Sequence, residues 1–193
     1  MNENGLNYID LFAGAGGLSE GFIQSGYRPI AHVEMNEHAA KTIETRIAYY
    51  YLKDNGKIKS YYDYEKGKIT REQLLDKIPK EELKTVINEE MSEATIKGIF
   101  NTIDDIKREK EIDKIDVIIG GPPCQAYSLV GRAQSSHMIV PMEDDPRNEL
   151  YKMYVQFLKK YKPRMFVFEN VAGIKTARGG GAFKKLQTYM KRG

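Results

Sequence analysis

Tyr8-Ile9-Asp10-Leu11-Phe12-Ala13-Gly14-Ala15-Gly16-Gly17-Leu18 is the stretch that decides the fold. Its first half is a short apolar run and its second a glycine turn, after which Leu18, Phe22 and Ile23 recur at helical spacing. The pattern predicts strand, tight turn, helix. A second strand fits Pro29 to Val33 and ends at Glu34. A helix over His38 to Tyr50 follows, with Ala39, Ala40, Ile43 and Ile47 on one face. Ile115 to Ile119 is a strand rich in β-branched residues that runs into Gly120-Gly121-Pro122-Pro123. Leu150 to Leu158 reads as a helix, and Met165 to Phe168 as a buried strand closing at Glu169-Asn170. Strands alternating with helices predict an α/β fold, a parallel sheet with helices on both faces.

The 193 residues, 41% of them hydrophobic, suffice for one sizeable domain. A net charge of +3 is compatible with a polyanionic partner without requiring one. No apolar stretch is long enough to span a bilayer, and Met1-Asn2-Glu3-Asn4-Gly5 lacks the regions of a signal peptide. Together with a lone cysteine, this points to a reducing, cytoplasmic setting. One cysteine also excludes an internal disulfide or a cysteine-based metal site. His32, His38 and His137 show no paired ligand spacing, so no metal is expected. From about Lys53 to Ile99 the chain is dense in Lys and Glu, and Leu74, Leu75, Ile78, Leu83, Val86 and Ile87 are spaced as in small amphipathic helices. This stretch is expected to be a charged, helical insertion at a sheet edge, its mixed charge giving no basic stripe.

The chemistry-bearing residues follow strand ends, the edge where parallel sheets bind ligands. The turn Gly14-Ala15-Gly16-Gly17 lets a ligand approach the backbone, and the helix after it presents free N–H groups. Glu34, about 20 residues on, stands where a carboxylate grips ribose hydroxyls. Ser19 and Gly21 fit the nicotinamide fingerprint poorly, which leaves another nucleoside-containing cofactor as the better reading. Cys124 lies on a turn stiffened by Pro122 and Pro123. Such a thiol is either a small buried hydrophobe or a nucleophile activated by a helix N-terminus or a cation such as Arg132. Glu169 closes the next strand near the same edge. Taken together at adjacent strand ends, the two favour catalysis.

These strings, in this order, resemble the N-terminal catalytic part of the DNA cytosine-5 methyltransferase family. Asp10-Leu11-Phe12-Ala13-Gly14-Ala15-Gly16-Gly17 resembles its cofactor motif, Pro122-Pro123-Cys124-Gln125 with Ser128 its nucleophile motif, and Glu169-Asn170-Val171 its third motif. Asp105-Ile106 resembles the acidic motif that contacts the adenine amino group, and Asp145-Pro146-Arg147 with Leu150 the segment opening the helix after the catalytic loop. The resemblance implies a Rossmann-like methyltransferase fold using S-adenosyl-L-methionine. It assigns the cofactor to Asp10, Phe12, Gly14, Gly16, Gly17, Leu18, Glu34, Met35, Asp105, Ile106 and Pro122. It assigns catalysis to Cys124, Glu169 and Asn170, with strand capping an equal reading for Asn170. DNA containing the target cytosine falls to Gln125, Ser128 and Arg132, Arg132 reading equally well as a solvated loop charge. Cys124 would attack C6 of a cytosine extruded from the duplex, and Glu169 would act at N3.

In the family the next pieces would be the last strands of the sheet, an arginine-bearing strand, the target-recognition domain and a returning helix. After Val171 this sequence holds Gly173 and a segment with Phe183, Leu186, Tyr189 and Met190 at helical spacing, then ends. The expectation is a catalytic domain incomplete at its C-terminal end, without a target-recognition domain, needing a complementary C-terminal polypeptide or subunit. A bacterial, archaeal or phage-encoded member of a restriction-modification or similar system fits. A cytosine-5 RNA methyltransferase and a non-catalytic nucleotide-binding subunit remain the alternatives.

Overall fold

A computed structural model describes residues 5–122 and 150–170, together with Lys184, Gln187 and Thr188. Five strands, all parallel, form one sheet in the order β3-β2-β1-β4-β5. They are β1 (Asn7–Leu11), β2 (Arg28–Val33), β3 (Val86–Ile87), β4 (Val117–Gly120) and β5 (Met165–Phe168). Helix α1 (Gly17–Gln24) follows the glycine turn, and α2 (Glu37–Asp54) follows Glu34. Asn36 caps α2 by accepting a hydrogen bond from Ala39 N–H at 3.0 Å. The helix runs a turn beyond the expected Tyr50 because Leu52 is fully buried.

Alternation along β1 separates two apolar layers. Tyr8, with Val117 and Ile119, packs under Leu18, Phe22 and Ile23 of α1. Ile9, Leu11 and Ile118 meet the opposite layer, made by α6 (Ile96–Glu109) and α7 (Leu150–Tyr161) through Ile99, Ile103, Ile106, Met153, Tyr154 and Phe157. The sheet is thus covered on both faces, as parallel sheets require. Order reverses between β1 and β4, since β2 and β3 lie to one side of β1 and β4 and β5 to the other. A crevice outside the carboxyl ends at such a switch point is the usual ligand site.

The charged segment divides in two. Helices α3 (Lys59–Glu65), α4 (Arg71–Leu75) and α5 (Lys80–Leu83) build a small core of Leu52, Leu74 and Ile78 against α2. Val86 and Ile87, expected to be helical, instead pair with His32 and Val33 as β3. Two residues are too short a run to show alternation. At the other edge, β5 leaves Met165 49% and Phe166 40% exposed, although the sequence reads as a buried strand. Among the described residues no helix is long and apolar enough to cross a membrane.

Candidate active site

Phe12, directly after β1, takes a positive φ of 57°. That left-handed conformation is costly for a bulky residue and tends to persist where function holds it. Ala13 N–H donates to Val33 O at 3.1 Å, and Gly16 N–H donates to Ala13 O at 2.9 Å, closing the turn. Gly14 and Gly16 carry φ of 54° and 79°, conformations that glycine adopts without penalty. Gly16 caps α1 without any side-chain hydrogen bond, so the first-turn N–H groups from Gly17 onward have no helical partner. Leu18 packs against the core beneath α1 while staying partly exposed, and its backbone N–H belongs to that first turn.

Glu34, buried at the end of β2, orders the turn from the side. One carboxylate oxygen accepts from Gly14 N–H and the other from Asn36 N–H, both at 2.7 Å. Each oxygen keeps a further lone pair for a ligand hydroxyl. Met35 beside it is 61% exposed. Asn88, following β3, donates to Glu34 O at 2.8 Å and to Met35 O at 3.1 Å. Asn88 and the exposed Glu89 and Glu90 therefore stand at the carboxyl edge next to Met35, a position that the sequence reading missed along with β3 itself.

Asp105 and Ile106 are not at that edge, which corrects the expectation placed on them. Both lie late in α6, where Asp105 is engaged by Arg108 at 2.7 Å and Ile106 is 1% exposed within the core. Shortly after them, Glu109 and Lys110 pair with Lys84 and Glu82, ahead of β3, so this end of α6 reaches the amino side of the sheet. The Asp-Ile string matched, but its place in the crossover did not.

Asp10 is the most strongly perturbed carboxylate among the described residues. It is 1% exposed, and its Oδ2 is buried without a hydrogen-bond partner. Burial first, then the charges of Glu169 and Glu34, push its carboxyl from an ordinary 3.8 up to about 7. An orphaned buried acceptor at a ligand edge calls for an explanation; a positively charged or hydrogen-bonding ligand supplies one. On the same sheet, His32 is fully buried, and its Nε2 lies 2.8 Å from Ser19 Oγ, which also meets Tyr8 OH. Ser19, the residue that weakens the nicotinamide fingerprint, thus ties α1 to the sheet. Desolvation lowers the His32 pKa to about 4.

The other half of the edge is a backbone junction. A Cβ on Gly120 would lie 1.9 Å from Leu11 O, and one on Gly121 only 1.8 Å from Glu169 O. Only glycines allow β1, β4 and the chain after β5 to meet so closely. Glu169 N–H donates to Gly120 O at 3.0 Å, and Tyr154 OH donates to Ile118 O and Val167 O at 3.1 and 3.2 Å, locking β4 to β5. Glu169 is exposed, with Asn170 beside it and Pro122 just past Gly121. Cys124, Gln125, Ser128 and Arg132 lie outside the described residues. The edge therefore brings together Asp10, the glycine turn, Glu34, Glu169 and the root of the segment carrying Cys124. Among the described residues no group of three or more His, Cys, Asp or Glu is arranged to hold a metal ion.

The model of the C-5 cytosine-specific DNA methylases matches residues 6–72 and 87–192. Type II methyltransferase M.Bpa9945I of Bacillus paralicheniformis is 36% identical over 93% of this chain and 43% of its own length. Type II methyltransferase M1.HphI of Haemophilus parahaemolyticus is 31% identical over 97% of this chain and 38% of its own. A solved E. coli structure, described as a DNA modification methyltransferase encoded within a prophage, aligns at a TM-score of 0.52 and 26% identity over 97% of this chain and 38% of that one. The chain spans about half the length, or less, of the curated relatives it matches.

Proposed function

The chain belongs to the C-5 cytosine-specific DNA methylase family, and from that premise we propose that it carries the cofactor-binding and nucleophile-bearing part of an enzyme methylating C5 of cytosine in DNA, the modification arm of a restriction-modification system. The observation that carries the reading is the junction of Gly120, Gly121 and Glu169. It fastens a carboxylate to the stem of the Cys124 segment, three residues before the thiol.

S-adenosyl-L-methionine fits the other half of the edge. Glu34 would accept the ribose hydroxyls through its remaining lone pairs, and Met35 would lie against the purine. Asn88-Glu89 takes the place first expected of Asp105-Ile106. The unpartnered Oδ2 of Asp10 and the N–H groups of the glycine turn face the methionyl end in this assignment, with Phe12 and Pro122 closing the sides. When bound, this cofactor supplies a methyl group activated by a sulfonium.

Cytosine C5 is a weak nucleophile, and the chain's own residues would correct that. The Cys124 thiolate adds to C6, the new S–C6 bond driving an electron pair toward C5 while Glu169 supplies a proton at N3. C5 takes the methyl group, its hydrogen then leaves as a proton to solvent, the returning electron pair expels the thiolate, and N3 gives its proton back to Glu169. Because C6 is closed off within a stacked duplex, the base must be extruded. Gln125, Ser128 and Arg132 would hold it and its phosphates, and Asn170 would orient Glu169. Base-specific reading is assigned to none of these residues.

Duplex DNA carrying 5-fluorocytosine tests the chemistry, since fluorine at C5 prevents release of the enzyme. Incubated with S-adenosylmethionine, the full-length protein should give an adduct stable to denaturation, and Cys124→Ser should give none. No adduct across a panel of sequence contexts would sink the reading; adducts on RNA alone would move it to the RNA class.

A further inference from the structure

Resting on that cofactor reading, we propose that Arg46, on the outer side of α2, is a positioning residue that sets the geometry of the cofactor turn without touching the cofactor. Its Nε donates to Ala15 O at 3.0 Å, and its terminal nitrogen donates to Glu20 at 2.8 Å. Glu20 in turn accepts from Tyr50 OH and, at 2.8 Å, from Gln24. The guanidinium is therefore anchored on α1 and α2 while reaching the tip of the turn.

The consequence lies in one peptide unit. The carbonyl of Ala15 is held by Arg46, and the N–H of the same peptide, that of Gly16, donates to Ala13 O at 2.9 Å. Both ends of the unit are thus fixed, which matters because its neighbours Gly14 and Gly16 have the widest backbone freedom of any residue. Rotation of that peptide would redirect the N–H groups of Gly17 and Leu18, the donors that a ligand at the head of α1 would use. The aliphatic part of Arg46 adds a wall, since its Cδ lies 3.5 Å from where a Cβ of Gly16 would stand. A fork-shaped, always-charged donor suits this task; a lysine ammonium lacks the geometry to hold the carbonyl and the carboxylate in the same way.

The helical segment after α2 buttresses the arrangement. Tyr61 of α3 packs edge-on against Tyr49 at 5.1 Å, and both line, with Glu20, Arg46 and Tyr50, a groove of about 880 Å³.

Isothermal titration of S-adenosylmethionine into the full-length protein, beside steady-state kinetics and thermal melting, tests the role. Arg46→Met should raise the cofactor Kd and KM about tenfold, as loss of one charge-assisted hydrogen bond allows. It should leave kcat at saturating cofactor and KM for DNA within about twofold of wild type. Glu20→Ala, which frees the guanidinium from its anchor but keeps its bond to Ala15, should raise the cofactor Kd about threefold and serves if Arg46→Met does not fold. A cofactor Kd unchanged in the folded variants, or a loss of kcat with Kd intact, overturns the proposal. Failure of the wild-type protein to bind S-adenosylmethionine would instead overturn the cofactor reading and this role with it.

Discussion

Replacing Asp10 by Asn should make the ligand-free protein more resistant to unfolding at alkaline pH while weakening its hold on the cofactor. Asp10 titrates at about 7 in the folded protein against an ordinary 3.8. Its folded-state pKa is raised, so the native protein binds more protons than the unfolded chain between those values, and stability falls as pH rises through the window. Roughly three units at about 1.36 kcal/mol each give an upper bound of about 4 kcal/mol lost by pH 8. The amide of the Asp10→Asn variant does not titrate. The measurement is a set of urea unfolding curves for both proteins at pH 4, 5, 6, 7 and 8, without cofactor. Subtracting one free energy from the other removes every group that the two share. That difference should move steadily in favour of Asp10→Asn up to about pH 7 and then level off, whatever constant offset the new amide brings. A difference that stays flat, or tilts the other way, would refute the claim that a buried, unpartnered carboxylate sits at the end of β1. With S-adenosylmethionine present the order should reverse, because the amide cannot offer the cation a negative charge.

Gly121→Ala should cost about 1–3 kcal/mol in unfolding free energy and slow adduct formation on 5-fluorocytosine DNA between tenfold and about 100-fold, since it must displace Glu169; an unchanged adduct rate would remove the junction from the mechanism. His32, its pKa held near 4 by burial, should destabilise the fold by up to about 3 kcal/mol as pH falls from 6.5 toward 4, a slope that unfolding curves of His32→Gln should lack. Sinefungin, which keeps a positive charge where the sulfonium stands, should tighten DNA binding more than S-adenosylhomocysteine does; equal effects in a filter-binding titration would deny that charge at the edge matters.

The strands carrying glycine turns or β-branched runs were legible in the sequence because local chemistry alone specifies them. β1 with its turn, β2 ending at Glu34 and β4 ending in Gly120-Gly121 all follow from apolar runs punctuated by residues suited to one backbone shape. β3 was not legible. Val86 and Ile87 gain their strand conformation from pairing with β2, a tertiary fact with no period in two residues. Asp105-Ile106 carries the acidic-aliphatic string of the resemblance late in α6, whereas Asn88-Glu89 directly follows a strand, and only the pairing of β3 tells the two apart. Arg46 was hidden for another reason. It sits about 30 residues from the carbonyl it holds, and nothing in the spacing of a helical arginine tells whether it points to solvent or to a turn.

Asp10, Glu34 and Glu169 close three different strands, yet Asp10 is raised by both of the others, so their charges are felt across one edge. Such a cluster opposes folding in the absence of a ligand, and no described lysine or arginine is recorded pairing with any of the three. The repulsion is relieved only if something positive arrives or a proton is retained. The proposed cofactor, with a sulfonium and an ammonium against one carboxylate of its own, would do the first at the Asp10 end and offset part of the edge's negative charge. The same three carboxylates would repel a polyanion as long as the cofactor is missing. On the proposed function, cofactor binding and DNA binding would be coupled through charge at one sheet edge, and by linkage each would strengthen the other equally.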